Sequence, residues 1–161
     1  MLRNMTAIYL MAGENILLLY RRGSRVVPDC YTGTAGGHFE PDELNDPLAC
    51  VLRELQEETG LTADDITAPA LRYATLRCTS GEIRQNYYFF ANLHDTSRIV
   101  TSAEGDIIAV KPEDALGLKM PHTAKFMYRH WLDIGRHDNR LYCGAADTDG
   151  VQFTVLSEES L

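Results

Sequence analysis

The chain has 161 residues, 45% hydrophobic and 24% charged, a length and balance that suit one soluble domain, spanning residues 1–161, with its own core. Its 15 Lys and Arg against 23 Asp and Glu leave a net charge of −8. That balance excludes a sequence-independent nucleic-acid binder and disfavours docking on anionic lipid. A small phosphorylated substrate stays open, because a divalent cation can reverse the local sign.

No apolar run reaches the length that crosses a bilayer. Residues 7–11 follow a single Arg3 and break at Ala12-Gly13-Glu14-Asn15, too soon for a signal-peptide core. Cys30, Cys50, Cys78 and Cys143 are scattered with no C-x-x-C pair, so a disulfide framework is not expected. Cys50 on a helix and Cys78 in a strand read as buried thiols. The chain is expected to be cytoplasmic.

Residues 6–11 and 16–21 flank a Gly-Glu-Asn turn and predict paired strands. A loop over residues 22–31 follows, then Thr32-Gly33-Thr34-Ala35-Gly36-Gly37, whose glycines mark close backbone approach. Residues 47–59 carry the strongest helix signal, with Asp46 as N-cap, Pro47 at the first turn and Gly60 just past the end. Residues 71–79 and 83–93 predict two strands around Ser80-Gly81-Glu82, and residues 107–110 a short one. A second helix is expected over residues 121–134, ended by Gly135. Residues 141–145 and 151–155 predict a closing hairpin around Asp147-Thr148-Asp149-Gly150. Strands mixed with two helices favour an α+β fold, a mixed sheet flanked by helices.

The first helix carries the chemistry. At about 100° per residue, Glu54, Glu57 and Glu58 share one arc, while Leu48, Val51, Leu52 and Leu55 form a separate apolar arc. Glutamates at i and i+4 repel one another, by about 0.2–0.5 kcal/mol per pair. Converging carboxylate oxygens suit Mg²⁺ or Mn²⁺, which relieve that repulsion. Arg53 can hold one carboxylate by a bidentate contact. From Glu40 to Glu58 there are seven acids and one base, so six of the eight surplus negative charges sit in 19 residues.

Gly37-x5-Glu43 followed by Arg53-Glu54-Leu55-Gln56-Glu57-Glu58-Thr59-Gly60-Leu61 resembles the Nudix box, G-x5-E-x7-R-E-U-x-E-E-x-G-U, with U a bulky aliphatic residue. One departure is visible: nine residues separate Glu43 from Arg53 where the family has seven, the extra pair falling in Leu44-Asn45-Asp46-Pro47. The resemblance implies a Nudix fold, an αβα sandwich with the catalytic loop and helix after the first strands. It also implies Mg²⁺-dependent hydrolysis of a nucleoside diphosphate linked to another group, with a small nucleotide as substrate. Glu54, Glu57, Glu58 and the carbonyl of Gly37 are the implied metal ligands, and Arg53 their partner. The implied base is Glu54 or an acid outside the box, for which Glu104 is the candidate and Asp106 the reserve.

Glu40, Arg21 and His122 are the expected substrate contacts, and His38 is expected to shape the turn. Arg22 and Arg25 could also meet phosphate, or form a solvated cluster with Arg21. A Pro or Tyr about fifteen to eighteen residues past the box marks some substrate classes in the family, and Leu76-Arg77-Cys78-Thr79 carries neither. The segment from Met120 to Phe126 resembles the oxidised-purine nucleotide hydrolases of MutT type, which act on 8-oxo-dGTP. Tyr87, Tyr88, Phe89 and Phe90 alternate between sheet faces, and one pair could stack on a base or simply fill the core, as Trp131 is expected to do. Other diphosphate substrates, such as a sugar nucleotide or ADP-ribose, remain open. So does a nucleotide-sensing module without catalysis, although the intact glutamate set weighs against it. Monomer and homodimer are both compatible with the sequence.

Overall fold

The computed structural model describes residues 1–23 and 28–158. Among these, the elements follow as β1 (Leu2–Ala12), β2 (Asn15–Arg21), β3 (Cys30–Thr32), α1 (Pro47–Thr59), β4 (Ala70–Thr79), β5 (Glu82–Asn92), β6 (Asp106–Val110), α2 (His122–Asp133), β7 (Tyr142–Ala146) and β8 (Val151–Val155). β1 starts at Leu2, earlier than its apolar run, because its first residues pair with β5 from Leu2↔Ile83 onward. β3, expected as loop, forms because Cys30–Thr32 pairs with Leu19–Arg21. A strand of three residues carries too little alternation to be read from sequence. Arg25 lies outside the described residues.

All strands join in one mixed sheet of order β3-β2-β1-β5-β4-β7-β8, with β6 pairing β2. β1 runs parallel to β5 and β4 parallel to β7, and the other pairs are antiparallel. Alternation along the strands divides the core in two. Tyr9, Leu18, Tyr88 and Phe90 face α2, where they meet Met127, Tyr128 and Trp131. Ile8, Leu10, Leu17 and Phe89 face α1, where they meet Val51 and Leu55. Helices therefore flank both faces, as the resemblance implies. Trp131 is packing, its ring 4.5 Å from that of Phe90.

β1 and β2 stay paired only through Leu10–Ala12 and then diverge. Fully buried Thr34 fills the gap, its hydroxyl accepting from Leu10 N at 3.0 Å and donating to Leu17 O at 2.7 Å. The glycine segment then runs beside β1, with Ile8 N donating to Ala35 O at 2.9 Å and Thr6 N to Gly37 O at 2.8 Å. At Gly36, φ is +150° and any Cβ would overlap the Thr6 carbonyl. Only glycine lets the chain lie this close to β1 before it turns into α1.

Two sequence expectations fail here. Cys78 is exposed rather than buried, because it lies where the β4–β5 ribbon runs out past the helices to its turn at Ser80-Gly81. Leu48 is also exposed, and the fully buried face of α1 is Cys50, Val51 and Leu55.

Candidate active site

α1 begins with the expected chemistry: Asp46 Oδ1 accepts from Ala49 N at 2.9 Å and Pro47 occupies the first turn. It ends at Gly60, left-handed with φ 73°, whose N–H donates to Gln56 O at 2.9 Å. Around the helix at about 100° per residue, Glu54 and Glu58 fall between Cys50 on one side and Val51 and Leu55 on the other. The helix thus turns two of its carboxylates toward the sheet margin, and Leu48 is rotated outward. That rotation explains both the burial of the acids and the failed expectation for Leu48.

Glu58 Oε2 accepts from Gly36 N at 3.1 Å. Burial, with the charges of Glu54 and Glu104 adding to it, pushes the Glu58 carboxyl up to about 7, against the pull of the Gly36 N–H and Arg21. Glu54 lies against Gly37 so closely that a Cβ there would overlap its carboxylate.

Arg53 ties the site together. Its Nε donates to Glu43 Oε1 at 2.6 Å and its Nη2 to Glu43 Oε2 at 2.9 Å, a bidentate pair. Nη1 donates to both Glu54 Oε1 and Glu57 Oε2 at 3.0 Å, and Nη2 also to His38 O at 3.0 Å. The guanidinium holds the buried Glu43 carboxyl down at about 2. The two extra residues before Arg53 do not disturb this pairing. Successive turns, Glu43 N to Glu40 O and Asp46 N to Glu43 O, push Leu44 and Asn45 outward and leave Glu43 in reach.

Glu104 stands beside α1, since Ala103 N donates to Glu58 O at 2.8 Å. Its carboxylate pairs with Arg21 Nη2 at 2.8 Å. Asp106, which opens β6, meets Arg22 at 3.5 Å. The structure thus brings Arg21, Arg53, Glu54, Glu58 and Glu104 together. Glu57 is more exposed and bound to Arg53 alone.

Two expected substrate contacts are not brought in. Glu40 is exposed and contributes its backbone N–H to Glu43 Oε2 at 3.0 Å, because the loop turn directs its main chain, not its side chain, inward. His122 turns away to the β7–β8 connection, its Nε2 3.2 Å from Asp147 O and its ring beside Phe126. His38 acts through its carbonyl, as a turn residue.

Among the described residues no three His, Cys, Asp or Glu side chains converge on one point. Glu54 is held by Arg53, Glu58 by the Gly36 N–H, and the Gly37 carbonyl accepts from Thr6 N. The donor chemistry still fits a hard dication. Two carboxylates share a half-buried margin, and burial drives one of them toward protonation, which a bound dication would reverse.

A cavity of about 310 Å³ opens next to this margin, on the α2 side of the sheet. Gly36 and Arg21 line the end near Glu58, while Tyr88, Asn86, Arg84 and Arg77 from β5 and β4 line the other, capped by Thr123 of α2. Sequence reading named Arg21 and Tyr88 but missed Asn86, Arg77, Arg84 and Thr123. Their common signal is parity, since residues 84, 86 and 88 share one face of β5.

The NUDIX domain family model matches residues 1–132. No curated protein matches the chain in sequence. In structure it is similar to a mutator MutT protein from Bacillus halodurans, with 25% identity, a TM-score of 0.68, and 96% of this chain and 95% of that one covered. It is also similar to a C. elegans Ap4A hydrolase, with 19% identity, a TM-score of 0.64, and 85% and 98% coverage. A MutT protein from Methanosarcina mazei Go1 gives 21% identity, a TM-score of 0.60, and 84% and 94% coverage. The last two likenesses bear on the fold alone. With the family match running from β1 into α2, the chain belongs to the Nudix family and is a Nudix hydrolase, an enzyme of pyrophosphate bonds.

Proposed function

We propose that this protein is a Mg²⁺-dependent nucleoside triphosphate pyrophosphohydrolase of MutT type, acting on purine nucleotides such as 8-oxo-dGTP. The observation that carries the reading is the cavity: Gly36 lines it and also binds Glu58, and Arg21 lines it and also binds Glu104. A substrate whose phosphates lie at the carboxylate margin would thus lead its nucleoside into the cavity. At about 310 Å³ the cavity is at the lower end of the roughly 300–1,000 Å³ usual for ligand pockets, which favours one nucleoside over two. The apparent conflict between a net charge of −8 and a polyphosphate substrate disappears once a dication sits among the acids.

Glu54 and Glu58 are the residues that would hold Mg²⁺, or Mn²⁺ in its place, with Glu57 and the Gly37 carbonyl as further ligands. When bound, the ion neutralises charge on the phosphoryl oxygens and acidifies a water. Glu54, oriented by Arg53, takes the proton of the attacking water, whose oxygen forms a bond to phosphorus in line with the bridging oxygen. The P–O bridge breaks, leaving nucleoside monophosphate and pyrophosphate. Glu104, beside Glu58, is the second candidate for the base, and its pairing with Arg21 keeps that arginine at the phosphate end. Since β7 and β8 extend the same sheet past residue 132, residues 1–161 form one domain in this reading.

Product-resolved hydrolysis of oxidised and normal nucleoside triphosphates, dinucleoside polyphosphates, ADP-ribose and sugar nucleotides tests the proposal. A triphosphate split to monophosphate and pyrophosphate is the expected outcome. Turnover confined to a sugar nucleotide, ADP-ribose or a dinucleoside polyphosphate would refute the substrate assignment while keeping the chemistry.

A further inference from the structure

Arg77 has no counterpart in the ordered pairing found around α1. Its side chain lines the cavity, its Nε is fully buried, and that nitrogen has no hydrogen-bond partner among the described residues. Among the described residues its other nitrogens donate to none, and it joins no ion pair with any of them. Directly opposite on β5 stands Arg84, the Cα partner of Arg77 in the β4–β5 ladder. Like charges facing each other across a ladder destabilise it. The nearby acid does not resolve the conflict, because Glu82 is occupied by Arg84 and by Arg3, the latter at 3.2 Å. No Asp or Glu among the described residues lines the cavity. Thr123, 3% exposed, adds a second orphan on the same wall, its Oγ1 buried without a partner.

A guanidinium offers five donors and no acceptor, so what completes this wall must present acceptors. A buried polar group without a partner is rare in native structures and calls for a missing one. The position tells which part of a substrate arrives there. Gly36 packs on Ala7 of β1, and β4 lies two strands away, about 10 Å across the sheet. With phosphates at the carboxylate margin, the group reaching Arg77 is the nucleobase.

We propose that Arg77, with Arg84 opposite, is the base-reading residue of this enzyme and selects a 6-oxopurine over a 6-aminopurine. The inference rests on the proposed function for the direction in which a nucleotide enters. Guanine places O6 and N7 side by side as acceptors and can take two N–H donors from one arginine. 8-Oxoguanine, which carries a proton on N7, still presents O6 to the guanidinium and adds O8 as an acceptor. Adenine puts an amino donor at the same corner, facing a cation that cannot accept. Thr123 and the Asn86 amide, which can each donate or accept, leave the remaining edges of the base to be matched without a second charge.

The test measures binding of dGMP and dAMP to the full chain, wild type and Arg77→Met, with thermal unfolding of both. The monophosphates report the base end independently of turnover. Wild type should bind dGMP about tenfold or more tightly than dAMP, the scale of one bidentate base contact. In Arg77→Met the ratio should fall to within about threefold through weaker dGMP binding alone. The variant should also unfold at the same temperature as wild type or higher, because an unpaired buried cation is removed. Equal affinities in wild type, a ratio that survives in folded Arg77→Met, or a loss of inorganic pyrophosphate binding in that variant would overturn the assignment. dGMP selectivity without triphosphate hydrolysis would leave Arg77 as base reader and refute the proposed reaction. Hydrolysis with no base selectivity would do the reverse. If Arg77→Met does not fold, Arg77→Lys gives the decision, since a single ammonium cannot make the bidentate contact and the ratio must fall with it.

Discussion

Arg53 and Arg77 are two arginines beside one sheet, and the protein treats them oppositely. Arg53 serves three glutamates and a carbonyl, so the carboxylate helix arrives already fixed in its rotamers. Arg77 stands at a cavity wall with a buried, unpartnered Nε. The difference separates two jobs. The margin to which we assign the chemistry is organised by the chain itself, with its acids held against their mutual repulsion. The wall to which we assign base recognition keeps its hydrogen-bonding capacity in reserve, at some cost in stability, for a ligand to satisfy.

The largest expected effect is on the organised side. Glu54→Gln preserves shape but removes the proposed base and a ligand oxygen charge, and turnover should fall by about 10²–10⁴-fold, measured as kcat with Mg²⁺. Glu58→Gln should fall comparably while remaining folded. Next comes the hub: Arg53→Met leaves buried Glu43 without its partner and should destabilise the protein by about 3 kcal/mol in urea unfolding. The same variant should lose an acid-sensitive arm of the stability curve. Glu43 is held at about 2, below its ordinary 4.5, so its contribution is complete above pH 4.5 and disappears as pH falls toward 2. Stability measured between those pH values should therefore drop steeply in wild type and more gently in Arg53→Met.

Glu58 has the opposite sign. Its carboxyl is raised to about 7 from 4.5, so in the absence of metal its contribution is complete below pH 4.5 and is lost as pH rises through 7. A cation bound there competes with the proton. Mg²⁺ should thus raise Tm by more at pH 8 than at pH 6, and Glu58→Gln should erase that difference. A Mg²⁺ effect independent of pH would break the link between burial and metal affinity. The smallest effect is expected at Leu48, where Leu48→Lys should change stability by only about 0.5 kcal/mol or less, against about 2–5 kcal/mol for Leu55→Ala.

Much of the organised side is legible in the sequence, because its signals are local. Asp46, Pro47 and Gly60 bound α1 by capping chemistry, and Arg53, Glu54, Glu57 and Glu58 are close enough in sequence for spacing alone to bring them together. What spacing misses is rotation. Of the apolar arc Leu48, Val51, Leu52 and Leu55, Val51 and Leu55 are buried and Leu52 packs against them, but the helix is turned so that Leu48 is exposed, Cys50 is buried, and Glu54 and Glu58 are carried inward. That rotation depends on the sheet beneath, which lies in distant parts of the chain. The recognition wall is harder still to read. Arg77, Arg84, Asn86 and Thr123 come from β4, β5 and α2, and only the ladder register that opposes Arg77 to Arg84 makes them one surface. His122 shows the reverse error, a plausible residue one position from the buried Thr123 that the helix start turns toward the cavity instead.

The central claim is that the acids of α1 run a metal-dependent cleavage of a nucleoside triphosphate. The most direct measurement is the product pattern from 8-oxo-dGTP with Mg²⁺ for wild type, Glu54→Gln and Glu58→Gln side by side. The account predicts monophosphate and pyrophosphate from wild type and almost none from either variant. Full Mg²⁺-dependent turnover in both variants, or orthophosphate as the product of wild type, would contradict it.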